Sequence, residues 1–302
     1  MSFATLAAAA LLAYASLADD VRTLAARREF TAAERAVQEY QANHGATPEL
    51  AAALSWLARG ELDAQRYDRA DAYATQARRI AAGLPGAAHP DQDPQLSTAL
   101  GAAIEVHAKV LAARGERQQA IAYLRRELAA FGPTSLAERI EKNINLLGLV
   151  GRTAPPLEET NWLGPEPASL AALRGRPVLL FFWAHWCPDC KAEAPALAEI
   201  ARVYSPKGLV LIGPTRLYGY AAQGDDATPA QEMRYVDLVR RQFYSGLRDM
   251  AVPVSAANFR AYGASTTPTL VLLDRNGIVR YYHPGAVSQA ELTGRIEDLL
   301  KR

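Results

Sequence analysis

A chain of 302 residues suffices for two domains of ordinary size, and with half of it hydrophobic it can build real cores. The net charge is +1, with 16 basic and 17 acidic residues up to Val150 and 17 and 15 after it. Neither half carries the positive surplus that phosphate backbones select, so nucleic acid is excluded as an expected partner.

The N-terminus, MSFATLAAAALLAYASLADD, holds an apolar run from Phe3 to Ala18 that ends at two acids. The run is shorter than the roughly 20 residues a membrane span needs. It suits a signal peptide, with Ser16 and Ala18 as small residues placed for cleavage, although no Lys or Arg precedes it. Residues 1–18 are therefore expected to be a signal peptide, and the protein periplasmic or otherwise exported. The competing readings are an Ala-rich first helix of a protein that stays in the cytoplasm, and a membrane contact made only if the segment is retained.

From 19 to 150 the chain reads as helices only, with apolar residues at three- and four-residue spacing and no alternating β-branched runs. REFTAAERA (28–36), QRYDRADAY (65–73) and ERQQAIAY (116–123) look alike. Each starts a helix after a short turn and sets a small residue at the same place: Ala33, Ala70 and Ala120. The longer of the two intervals contains GLPGAAHPDQDP (83–94), a Pro/Gly-rich loop that accounts for its extra length. The pattern resembles tetratricopeptide helix pairs, with the consensus Trp-Leu-Gly-Tyr positions poorly matched. Trp56, Leu57 and Tyr67 are expected in its core. Stacked helix pairs form a concave face, so binding of a protein partner is the runner-up role for this domain.

GRTAPPLEETNWLGPEP (151–167) reads as the linker into a second domain, 153–302. There, Leu157–Thr160 reads as a short strand and Ser169 as the cap of a helical turn. RPVLLFFWA (176–184) reads as a strand buried on both faces, followed by a helix from about Cys187 to Tyr204. GLVLIGPT (208–215) is a second buried strand, with a helix after it from about Pro229 to Leu247. TPTLVLLD (267–274) and IVRYYH (278–283) flank the turn RNG, and a helix closes the chain at about Ser288–Lys301. This order predicts helices packed around a mixed sheet. The expected fold class is thus two-domain, an N-terminal all-α helical repeat followed by an α/β domain.

Cys187 and Cys190 are the only cysteines. A zinc site would need two further ligands, and none of the five histidines shows the paired spacing such sites use. A staple closing so small a loop removes little unfolded-state entropy. A redox pair explains both residues and their place. The pair follows a buried strand and starts a helix, where unpaired N–H groups and the helix dipole favour a thiolate at Cys187. Pro188 suits the first helical turn. Asp189 sets a negative charge beside the thiolate, which raises its pKa and favours a reducing pair. Neither a metal nor an organic cofactor is expected.

VLLFFWAHWCPDCKAEAP resembles the thioredoxin superfamily, and CxxCKxExP within it resembles the TlpA/ResA-like branch of exported thiol–disulfide oxidoreductases. APPLEETNWLG and AYGASTTPTLVLLDRNGIV fit that branch too. The resemblance covers about 153–302. It implies a thioredoxin fold, Cys187 as attacking and Cys190 as resolving cysteine, and Pro268 as a cis-proline facing them. Thr267 would offer its backbone to an extended substrate. Glu193, one turn after Cys190, would move protons to or from the pair; the alternative is an ordinary solvated carboxylate. Phe181 stands where thioredoxin proper has a buried acid. Trp183 and Trp186 are expected around the motif, Trp186 at its rim. His185 is expected in an exposed loop.

The loop PTRLYGYAAQGDDATP (214–229) follows the carboxyl end of a parallel strand, the edge where ligands bind in open α/β sheets. Arg216, Tyr218 and Tyr220 are its candidates for substrate contact. The expected activity is reduction of protein disulfides, with protein thiols and an upstream electron donor as partners. A protein-binding scaffold and a peroxiredoxin-like peroxidase are the alternatives. The peroxidase is disfavoured because no Thr stands shortly before Cys187.

Overall fold

The computed structural model describes residues 16–301, so the signal-peptide reading falls outside the described residues for 1–15. Ser16, Leu17 and Ala18 open a helix: Ser16 caps α1 (Leu17–Ala26) by accepting from the Asp19 amide. The chain divides into two compact units between Gly115 and Glu116.

The first unit holds α1, α2 (Phe30–His44), α3 (Pro48–Asp63), α4 (Tyr67–Ala82) and α5 (Pro94–Ala113). Thr47 and Asp93 cap α3 and α5, each with Pro at the first helical position, where no N–H partner is lost. Its core is built largely from small residues, among them Ala53, Ala58, Ala70, Ala74 and Ala77, with Leu50, Leu54 and Leu57 filling the gaps. Leu57 is fully buried, and Trp56 and Tyr67 pack at the edge of that core. Glu61 is fully buried against the guanidinium groups of Arg66 and Arg69 at 2.5 and 3.0 Å.

The three look-alike stretches share one turn. Arg27, Ala64 and Arg114 end their helices at φ/ψ of −83/0°, −82/3° and −78/1°. A left-handed residue follows, Arg28, Gln65 or Gly115, with φ of 61°, 59° and 87°. Glu29, Arg66 and Glu116 then start α2, α4 and α6 (Arg117–Phe131) from φ/ψ of −83/55°, −91/69° and −88/43°. Ala33, Ala70 and Ala120 are each fully buried.

The second unit begins with α6 and α7 (Leu136–Gly148), which differs from the expected division near 150. The physical reason is packing. Leu146 and Leu149 belong to the same apolar cluster as Phe182, Tyr262 and Val279 of the α/β region. The expected linker is also strapped down: Gly151 donates to Val279 and Ala154 to Gly277, while Val279 donates back to Arg152.

The main sheet has the order β3 (Val210–Ile212), β2 (Val178–Phe182), β5 (Thr269–Leu273), β6 (Val279–Pro284). β2 runs parallel to β3 and antiparallel to β5, and β5 antiparallel to β6. Every residue of β2 and β5 is buried, and alternate side chains feed two layers. Leu179, Phe181, Leu270 and Leu272 face α8 (Pro188–Tyr204), α9 (Pro229–Phe243) and α11 (Gln289–Leu300) through Leu197, Val236 and Ile296. Leu180, Phe182, Val271 and Leu273 face α10 (Ala256–Tyr262) and α7.

Two details depart from the sequence expectation. Residues 157–160 form no strand, because the Asn258 side chain clasps them, accepting from the Glu158 amide at 2.7 Å and donating to its carbonyl at 2.9 Å. The short strand is instead β1 (Trp162–Leu163), paired antiparallel with β4 (Val252–Pro253). Helix α9 ends at Phe243 rather than near Leu247, and Tyr244 turns into the core against Phe181 and Trp183 at ring separations of 5.9 and 4.8 Å.

Candidate active site

Cys187 and Cys190 form a disulfide at the head of α8, with Cα atoms 5.3 Å apart. Cys187 is the N-cap residue, and its Sγ accepts from the Cys190 amide at 3.0 Å. A helix start supplies unpaired N–H groups, and here one of them already points at the sulfur that would carry negative charge. The strand end is fixed beneath it. The Trp183 amide and indole N–H donate to Pro214 and Gly213, and the Thr215 hydroxyl donates to the Trp183 carbonyl at 2.8 Å. Both cysteines belong to the core, at 1% and 0% exposure, so in the oxidised form neither sulfur is the more accessible. Trp186 stands at the rim, 45% exposed, and Pro188 and Asp189 are exposed in the first turn of α8.

The Thr267–Pro268 peptide bond is cis, and the Thr267 carbonyl oxygen lies 3.5 Å from Cys187 Sγ. Antiparallel pairing sets Thr269, at the start of β5, opposite Phe182, at the end of β2. That pairing brings 267–268 to the sulfur. A shallow cleft of about 250 Å3 opens there, lined by Trp186, Arg216, Tyr218 and residues 264–267. Thus five of the sequence-selected residues meet: Trp186, Thr267 and Pro268 at the disulfide, Arg216 and Tyr218 across the cleft. Tyr218 packs edge-on to Trp186 at 5.5 Å, and Arg216 lies 4.9 Å over the Tyr218 ring. Burial pushes the Tyr218 phenol up to about 12, against the opposing pull of Arg216. Tyr220 does not line the cleft; its ring lies 5.3 Å from that of His185.

Glu193 is not a solvated helix carboxylate. It is 9% exposed, and its Oε1 accepts from the Val287 amide at 2.7 Å. Burial holds its pKa above the usual carboxylate range; the Val287 hydrogen bond opposes this and Asp189 adds to it.

His185 corrects the sequence reading, which expected an exposed loop residue. Its side chain is fully buried, 3.1 Å from Glu232, itself fully buried at the start of α9. The tyrosines that surround it are remote in sequence, so only the fold shows the enclosure. A second contact was also illegible: Arg216 pairs at 2.9 Å with Glu138 of α7, which precedes the region carrying the thioredoxin resemblance.

A family model described as a thioredoxin-like domain matches residues 166–300. Thiol:disulfide interchange protein DsbE of Vibrio cholerae is 32% identical over 143 residues, 46% of this chain and 67% of that protein. Thiol-disulfide oxidoreductase ResA of Geobacillus thermodenitrificans is 25% identical over 173 residues, 57% of this chain and 89% of that protein. The solved structure of a thiol-disulfide isomerase from Corynebacterium glutamicum, 22% identical, covers 49% of this chain and 97% of that one with a TM-score of 0.40. With 32% identity over a match that spans 67% of an interchange protein, and a cysteine pair at the head of α8, this chain belongs to the thioredoxin-like family of thiol–disulfide oxidoreductases.

Proposed function

We propose that the protein reduces disulfides of exported proteins, with Cys187 attacking and Cys190 resolving. The reduced Cys187 thiolate attacks one sulfur of a substrate disulfide, forming a mixed disulfide and expelling the other sulfur as a thiolate, which takes up a proton. The Cys190 thiolate then attacks Cys187 Sγ, releasing the second substrate thiolate and leaving the Cys187–Cys190 disulfide. Two electrons pass to the substrate, and a dithiol donor must return them. No metal or organic cofactor enters this cycle.

The observation that carries the reading is the setting of Cys187 Sγ, held by the Cys190 amide and 3.5 Å from the Thr267 carbonyl, beside an open cleft. An extended substrate segment laid along 266–268 would bring its own sulfur to Cys187. Glu193, held protonated more readily than a surface acid, is the proton source and sink for Cys190 in this scheme. The reducing direction is supported by Asp189, whose charge disfavours the Cys187 thiolate. Export is supported by the apolar run from Phe3 to Ala18.

Cys190→Ser tests the cycle, because resolution fails and substrates stay attached. Partner proteins bound to Cys187 and released by dithiothreitol are the expected result. Equal capture by Cys187→Ser would refute the assignment of the attacking sulfur.

A further inference from the structure

Glu232 is a fully buried carboxylate with three donors on it. Oε1 accepts from the Tyr218 amide at 2.6 Å and from His185 Nε2 at 3.1 Å, and Oε2 accepts from the Gly219 amide at 2.8 Å. A carboxylate facing a ring nitrogen can only accept, so Nε2 carries the hydrogen. The donors and their acceptor join three separate segments of the chain. His185 immediately precedes Trp186 and Cys187, Tyr218 and Gly219 belong to the cleft loop, and Glu232 sits in the first turn of α9. The rings of Tyr218, Tyr220 and Tyr235 stand edge-on to His185 at 5.7, 5.3 and 5.4 Å and help bury the junction. Burial holds the imidazole pKa below its ordinary value, with Glu232 opposing, which keeps His185 neutral.

We infer that His185 and Glu232 are positioning residues, tying the Tyr218 wall of the substrate cleft to the strand end that presents Cys187. The inference rests on the proposed disulfide exchange and adds how its substrate cleft is held. Charge-assisted hydrogen bonds between buried side chains are stronger than surface ones. The tie passes through one side chain: without the Nε2 donor, loop and cysteine segment lose their common anchor. Trp186 and Tyr218 pack edge-on and both line the cleft, so a shift of the Tyr218 loop alters the wall a substrate segment meets, while Cys187 Sγ keeps its own hydrogen bond to the Cys190 amide.

The test compares His185→Gln, His185→Asn and Glu232→Gln in the full chain. The Gln amide nitrogen reaches the position of Nε2, whereas that of Asn reaches only Nδ1. The expected result is a KM for a peptide disulfide raised about tenfold in His185→Asn and Glu232→Gln, with kcat within about twofold, and recovery in His185→Gln. Melting temperature is followed alongside, since a purely structural role would lower it and kcat together without separating Gln from Asn. Equal effects of Gln and Asn, or none from either, would overturn the inference. Hydrogen exchange at the Tyr218 and Gly219 amides gives a readout independent of turnover. Protection should be lost in Glu232→Gln, where an NH2 replaces one acceptor. Protected amides in a protein that turns over no disulfide would instead refute the proposed function, and unprotected amides in an active protein would refute the tie.

Discussion

Glu193 carries opposing consequences for stability and chemistry. Its carboxyl pKa is raised on folding, so the folded chain binds this proton more tightly than the unfolded chain does. The associated stability is fully present below the ordinary carboxylate pKa and is lost as pH rises through the raised value. Glu193→Gln keeps an acceptor for the Val287 amide and removes the buried charge. It is expected to be the more stable protein near neutral pH and to lose the fall in stability above the carboxylate range, seen by melting across pH. Disulfide exchange should slow by on the order of 10²-fold, the worth of a positioned proton donor. A variant as fast as the parent would return Glu193 to a packing role. At this scale the sequence showed the contiguous parts of the site, because CxxC, the following acid and the Thr-Pro pair each lie within a few residues. His185 was misread because its partner lies 47 positions away and no local pattern announces it.

Among the elements, α7 and α10 are the ones that reshape the site. α10 is seven residues long, too short for a periodic signal, although its Ser255 cap and Gly263 stop were both present in the sequence. Gly263 ends α10 in the left-handed region at φ 59°, and a Cβ there would fall 2.4 Å from the Lys142 amide nitrogen and 2.7 Å from the Glu141 carbonyl oxygen. Both obstacles are backbone of α7, which cannot swing aside. Gly263→Ala should therefore destabilise by about 3 kcal/mol, backbone strain and steric overlap together. Thermal melting checks the loss, and a change below about 1 kcal/mol would mean that α7 yields. Because residues 264–267 line the cleft, the same variant should weaken substrate binding. The recurring turns, by contrast, were legible as repeated sequence, since each repeat sets a buried Ala four residues after the capping residue.

For the molecule as a whole, the division at Gly115–Glu116 matters more than the Pro-rich stretch that looked like a linker. Composition marked residues 151–167 as a boundary, but Leu146 and Leu149 on one side and the Val279 pairing on the other bind that stretch into a single core. Such long-range burial leaves no trace in local composition. A fragment 116–302 should melt cooperatively, whereas 153–302 should melt roughly 10 °C lower, because it loses buried Leu136, Ile140 and Leu149 at about 1.5–3 kcal/mol each for full burial. Equal melting temperatures would restore the boundary near 150. The contact between Glu138 and Arg216 has a consequence for heredity as well. Substitutions at 138 and 216 should therefore be coupled, since reversing one charge alone sets like charges against each other. In a relative that lacks the leading helix, position 216 is released from that constraint and position 263 can accept asparagine. Covariation across so wide a gap would be the trace of a helix that supports a residue of the cleft from outside the region carrying the cysteines.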